Sequence, residues 1–292
     1  MSTIDPTAQQ RERRRRRAGD RRFLAGAIAS AAAMTVSAFL FGLGIATSVD
    51  MLRHGLIDSV FDDREPYPTF WGVGTMGYLW ILGVFGMVLW SILSTWLLDM
   101  YRGGEPQPQI LAALGACAVA AGVVLNAPTW LEPLAVGIRL DPVFHEDDPW
   151  GVAGWIAYYA DLWFPALATV IAGLFVAHAI SHYGRLRRQL AARDRLLAEG
   201  RRTAGAITAA TLRTSVNDQG QRSIVGTDVT VKFTDDQGVD RWVSRFNRDR
   251  TAMLGSGFVN VLFDPRRPGD DDLIFVAFHR DPMPAEWIGP TI

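Results

Sequence analysis

Four apolar runs, each of a length that can cross a bilayer, constrain this chain more than any other feature. They cover residues 23–49, 71–98, 110–126 and 155–180. A helix rises about 1.5 Å per residue, so roughly 20 apolar residues cross a hydrocarbon core of about 30 Å. The run at 110–126 sits near the lower limit. The first run resembles a secretory leader, but it is too long for one and further spans follow, so a retained helix is expected. The hydrophobic fraction of 49% therefore reflects a membrane bundle rather than a large soluble core.

Charge placement orients the bundle. Net charge is only −1, yet the signs are segregated. Eight arginines lie between Arg11 and Arg22, and a second basic stretch runs through Arg185, Arg187 and Arg188 to Arg202. The connections between these tails are acidic: Asp50, Asp58, Asp62, Asp63 and Glu65 in one, Asp141, Glu146, Asp147 and Asp148 in the other. Arginine beside a span stays in the cytoplasm, so both termini are expected inside, in agreement with an even number of spans. Trp71, Trp96, Trp130, Trp150, Trp155 and Trp163 fall near the span ends, where indole rings favour the headgroup layer. Residues 1–22 read as a disordered basic tail. Because Arg13 to Arg17 directly precede a span, they are expected to set topology and to attract anionic lipid headgroups, not nucleic acid.

Small residues recur at helix-packing intervals: Gly26 and Ser30, Gly42 and Ala46, Gly83 and Gly86, Gly115, Gly122, Ala172 and Gly173. In lipid, close backbone approach drives helix association, so these positions are expected on inner faces or at a homo-oligomer contact. Residues 50–70 are expected as a loop. The piece around Trp130 is expected to rest on the outer interface.

Residues 181–202 read as a basic amphipathic stalk. Leu186, Leu190 and Leu197 form one stripe, and Gly200 ends the helix. The stalk is expected to lie against the inner leaflet, with Arg185, Arg187 and Arg188 contacting lipid or a protein partner. Residues 203–282 alternate with period two, as in Val229, Val231 and Phe233 or Val259, Val261 and Phe263. Asn217 to Gly220, Asp235 to Gly238 and Asp264 to Gly269 read as turns between strands. Five or six short strands suit a small closed antiparallel barrel, which leaves no exposed sheet edge. Residues 283–292 read as a tail.

The stretch from Gly200 to Phe278 resembles a bacterial membrane-linked β domain family of unknown function. The likeness is carried by Gly200-Arg-Arg-Thr-Ala-Gly205, by Asp228-Val-Thr-Val-Lys-Phe-Thr-Asp-Asp-Gln-Gly238 and by Gly257-Phe-Val-Asn-Val-Leu-Phe-Asp-Pro265-Arg-Arg-Pro268. It implies a small β-barrel at the inner face of a bacterial plasma membrane and supplies no catalytic residues. Members often carry a span after the domain, whereas this chain has four ahead of it.

Candidate chemistry is sparse. Asp161 is an ionisable residue inside the fourth run, which in a membrane is costly and often functional. It lies only six residues past Trp155, within reach of the headgroups, where a hydrogen-bonded interfacial role is expected. Asn126 and Asp161 are the polar residues that a transport path would use. His178 and His182 are spaced for a metal pair, but no third ligand is evident. His145 to Asp148 could offer oxygens to a divalent cation, without calcium-loop spacing. Cys117, the single cysteine, excludes an intramolecular disulfide. No phosphate-cradling loop, nucleophile elbow or zinc-helix motif occurs. The expectation is a non-enzymatic, cofactor-free membrane interaction or scaffold protein. The alternatives are an ion or small-solute transporter and, more remotely, a metal-dependent enzyme built from the acidic loops.

Overall fold

A computed structural model describes residues 19–58, 73–102, 108–141, 143, 145–216, 222–247 and 259–290. The basic run Arg13 to Arg17, the turn at 217–220 and Asp62, Asp63 and Glu65 lie outside these residues. The chain divides into two compact units, Met1–Ile180 and Ser181–Ile292.

The first unit is helical. Its elements are α1 (Arg21–Ile57), α2 (Val73–Arg102), α3 (Pro108–Asn126), α4 (Val152–Tyr158) and α5 (Ala160–Glu199), whose last 19 residues belong to the second unit. Four of these helices (α1, α2, α3 and α5) are long and apolar enough to cross a membrane. Asp20 caps α1, its carboxylate accepting from the Arg22 N–H at 2.9 Å. α1 is the hub against which both α2 and α3 pack, while α2 and α3 barely touch each other.

Glycine makes this close approach possible. A Cβ on Gly42 would overlap the Val119 backbone carbonyl of α3. On Gly83 it would stand 2.6 Å from the Phe41 amide nitrogen, and on Gly122 2.5 Å from the Phe39 oxygen. Neither position admits a side chain without moving a helix. Ser94 donates to the Ser30 hydroxyl at 2.8 Å, tying α2 to α1 in a fully buried contact. Gly173 is different: nothing lies within 4 Å of a Cβ built there, so it marks no described inner face.

Two expectations about the helices need correction. The first helix does not end near residue 49; it continues to Ile57, so Asp50, Arg53 and His54 are helical rather than loop residues. At about 1.5 Å per residue, a 37-residue helix is near 55 Å long, well beyond the hydrocarbon layer. The fourth run is not one helix from 155 to 180 either. It breaks at Tyr159, which separates α4 from α5. A short ribbon of β1 (Ile138–Arg139) and β2 (Asp148–Pro149) precedes α4.

The second unit is a five-stranded antiparallel sheet with the C-terminal part of α5. Its strands are β3 (Arg201–Val216), β4 (Arg222–Thr234), β5 (Asp240–Asn247), β6 (Val259–Phe263) and β7 (Phe275–Ala277), in the order β5-β4-β3-β6-β7. The period-two pattern does its expected work. Val229, Val231, Phe233, Val243, Val259, Val261, Phe263 and Val276 form one buried core. The turn at 235–238 closes with Gly238 at a φ of 76°, a conformation natural to glycine.

The sheet is not a closed barrel. No ladder joins β5 to β7 among the described residues, so both are edge strands. The sheet nevertheless coils tightly around Gly205, which pairs with Phe233 on one side and Val259 on the other. A Cβ there would meet Val231 at 2.7 Å and Val261 at 2.9 Å. The Phe233 and Phe263 ring centroids lie 5.4 Å apart, although β3 runs between their strands. Where a barrel would have ladder hydrogen bonds, a side chain takes over. Arg245 of β5 donates to the Ile274 carbonyl at 2.8 Å, to the Asp271 carbonyl at 2.7 Å and to the Asp271 carboxylate at 3.1 Å.

The second unit also corrects the stalk and the tail. Leu196, outside the expected stripe, is the fully buried residue of this part of α5; it packs with Leu262, Phe275, Ala277 and Trp287 on the sheet face opposite the main core. The tail is structured too: Ile288 bridges Val276, and Trp287 is buried.

Candidate functional site

The most concentrated polar assembly lies at the end of α1 that the sequence assigned to a loop. Asp50, Arg53 and Asp58 are 3%, 5% and 1% exposed, inside a unit whose helices are apolar. Their spacing explains how they meet. Residues three and four apart on a helix are neighbours, so Arg53 reaches back to Asp50 at 3.3 Å, and His54 Nδ1 lies 3.1 Å from Asp58.

Each charged group is held from outside α1 as well. The Arg53 guanidinium donates to the Leu131 carbonyl at 2.6 Å and the Tyr158 carbonyl at 3.4 Å, and sits 5.8 Å from the Trp130 ring centroid. Asp58 accepts from the Leu134 N–H at 3.3 Å. The Trp150 indole donates to the Ile57 carbonyl at 2.8 Å, satisfying an orphan carbonyl at the end of α1. Buried charge without partners would cost several kcal/mol per ion. Here the partners come from the segment at 131–134 and from α4, so burial depends on both being in place.

Asn126 belongs to the same end of the bundle. Its amide donates to Thr47 at 3.2 Å, and its oxygen accepts from the Trp130 indole at 2.9 Å. It is a buried helix-to-helix tie. Asp161 sits half-buried in the first turn of α5, where a carboxylate is favoured by the helix dipole. No described hydrogen bond joins Asn126 to Asp161. The helix break at Tyr159 accounts for Asp161: it opens a helix instead of interrupting one.

The remaining candidates lie apart. His178 is exposed on α5, and His182, one turn on, is half-buried. Arg185, Arg187 and Arg188 are exposed; Arg187 stacks 5.3 Å from the Tyr183 ring. His145, Glu146, Asp147 and Asp148 are exposed, and Cys117 is an exposed thiol. Among the described residues no group of three His, Cys, Asp or Glu side chains is placed to hold a metal ion. Asp50, Arg53, His54 and Asp58 were missed as a site because the acidic character of their stretch read as a solvent loop. Their i,i+3 and i,i+4 spacing was the available signal.

In the second unit, Asp235 is the best-organised carboxylate. It accepts from the Gln237 and Val239 N–H groups at 2.9 Å and from Arg241 at 2.8 Å. Desolvation pushes its pKa up, but the Val239 hydrogen bond, Arg241 and the Gln237 hydrogen bond outweigh that, and the net shift is downward. It is a turn-forming group, like the Asp270 that caps the short helical turn before β7. The sheet face opposite the main core is more suggestive along β4 and β5. The register sets Lys232 beside Trp242 and Asp228 beside Phe246. Trp242 is 58% exposed with Lys232 Nζ 5.4 Å from its ring, and Arg213 lies 4.8 Å from the Phe246 ring.

Comparison of the chain with protein-family models, with curated proteins and with solved structures yields no match.

Proposed function

We propose that this chain is a multi-pass inner-membrane protein that presents its sheet unit to a protein partner at the cytoplasmic face, without catalysing a reaction. The orientation rests on arginine: the tails are crowded with it and the connections between spans are acidic. One observation carries the binding role. An exposed tryptophan on an edge strand, with a lysine over its ring and an Arg–Phe pair beside it, has the composition of an interface hot spot. The cations there are paired, Lys232 with Asp240 at 2.6 Å and Arg213 with Asp228 at 3.1 Å, so the face is near neutral. A near-neutral aromatic face suits protein better than nucleic acid. The resemblance of Gly200–Phe278 to membrane-linked β domains is in keeping with this reading.

The test is photo-crosslinking in cells, with the reactive group at Ser244 of the full chain and Trp242 either intact or changed to alanine. A discrete adduct that disappears with Trp242→Ala is the expected result. An adduct pattern indifferent to Trp242 would overturn the binding role. A reporter joined after Ile292 checks the orientation, and activity only on the exterior would reverse it.

A further inference from the structure

The first unit is built inside-out at one end. Asp50, Arg53 and Asp58 are buried there, while the chain covering them turns apolar side chains outward. Val136, Val143 and Val152 are 59%, 53% and 78% exposed, and Leu134 and Ile138 are exposed with them. A segment folded against water does the reverse, because burying charge costs and burying valine stabilises. The covering chain cannot simply be a loose loop. Its backbone is pinned from beneath by Arg53 on the Leu131 carbonyl and by Asp58 on the Leu134 amide, and its Trp150 indole donates to the Ile57 carbonyl. Trp150 also donates its backbone N–H to Gly137, closing the β1–β2 ribbon.

We infer that the described residues of 131–152 form an in-plane cap lying in the interfacial layer of the bilayer, with Val136, Val143 and Val152 facing lipid. The occupant of this surface is phospholipid, not water and not a second copy. Three observations favour lipid. The bundle exposes large apolar side chains as the cap does, Leu162, Ile156 and Val124 among them. The rings of Trp150, Trp155, Tyr158 and Tyr159 form a contiguous cluster at the root of the cap, with neighbouring centroids 4.9 to 6.5 Å apart. Such rings favour the headgroup layer. The polar tip, His145 to Asp148, is exposed and acidic, which limits how deep the cap can sink. The cap thereby shields the Asp50–Arg53–Asp58 cluster from water on one side while its own apolar rim meets the acyl-chain boundary.

This inference rests on the reading that the first unit is embedded in a membrane, and the experiment separates the two. Single cysteines are placed at Val136, Val152, Asp147 and Leu174 in a Cys117→Ala background. Each is labelled with an environment-sensitive fluorophore, and the full chain is reconstituted in phosphatidylcholine vesicles. Leu174, exposed in the middle of α5, reports the span. The expected result is blue-shifted emission at Val136 and Val152, quenched most by lipids carrying a nitroxide near the headgroup. Leu174 is quenched most by a deep nitroxide, and Asp147 only by an aqueous quencher. Val136 and Val152 labels that behave like Asp147 while Leu174 stays in lipid would overturn the cap and leave the span intact. Labels shielded from aqueous and lipid quenchers alike would assign the surface to protein and overturn it too. A water-exposed Leu174 would remove the membrane reading itself.

Discussion

Replacing Arg245 with methionine tests how the open sheet is held together. Arg245 is 3% exposed and reaches from β5 to the connection into β7. Methionine keeps the apolar length of the side chain and removes every donor. The buried Ile274 carbonyl then loses the guanidinium as its partner, at about 1–3 kcal/mol, whereas the Asp271 carbonyl keeps the Ile274 N–H at 3.3 Å and the Ser244 carbonyl is at an exposed residue. The Asp271 carboxylate is 66% exposed, so loss of its ion pair adds only about 0–1 kcal/mol. Relief of the desolvated guanidinium offsets part of the total, leaving a loss of roughly 2 kcal/mol. The assay is urea unfolding of the full chain in detergent, followed by a probe in the sheet. With a slope of about 2 kcal/mol per molar, the midpoint falls by about 1 M. The companion Asp271→Asn keeps both carbonyl contacts and is expected to cost under about 1 kcal/mol. If Asp271→Asn costs as much as Arg245→Met, the carbonyls are not what matters and the reasoning fails.

Two further outcomes follow from the same structure. Gly42→Leu drives a side chain into the Val119 carbonyl of α3, so α1 and α3 must part; a reduced melting temperature in detergent is expected, whereas Gly173→Leu, at an open position, leaves it unchanged. Asp235 has a folded pKa below its unfolded value near 3.9, so its contribution is present above that value and is lost as pH falls through the folded pKa. Asp235→Asn is therefore less stable than the parent at pH 7, and the gap in urea midpoint closes in acid; a gap that is constant from pH 7 to pH 3 would contradict this.

Much of the architecture was legible because the forces that set it are local. Apolar run length marks a span, and period-two alternation marks a strand with one buried face, whatever the rest of the chain does. The turn at 235–238 and the glycines of α1, α2 and α3 were readable for the same reason. The polar cluster was not. Asp50, Arg53 and Asp58 look like solvent-exposed loop residues until their partners at Leu131, Leu134 and Tyr158 are known, and those lie about 75 to 105 positions away.

The sheet makes the same division. Alternation in β4 and β6 determined that Val231 and Val261 would share a buried face; it could not say whether the ends of the sheet would meet. That outcome depends on how tightly the strands coil over Gly205 and on whether Arg245 finds the Ile274 carbonyl, a pairing 29 residues apart. Composition and spacing therefore settled which apolar side chains of β4 and β6 avoid water. Three-dimensional packing alone decided which buried charge is matched by which distant carbonyl, because desolvated charge is stabilised only by partners that the fold itself brings within hydrogen-bond reach.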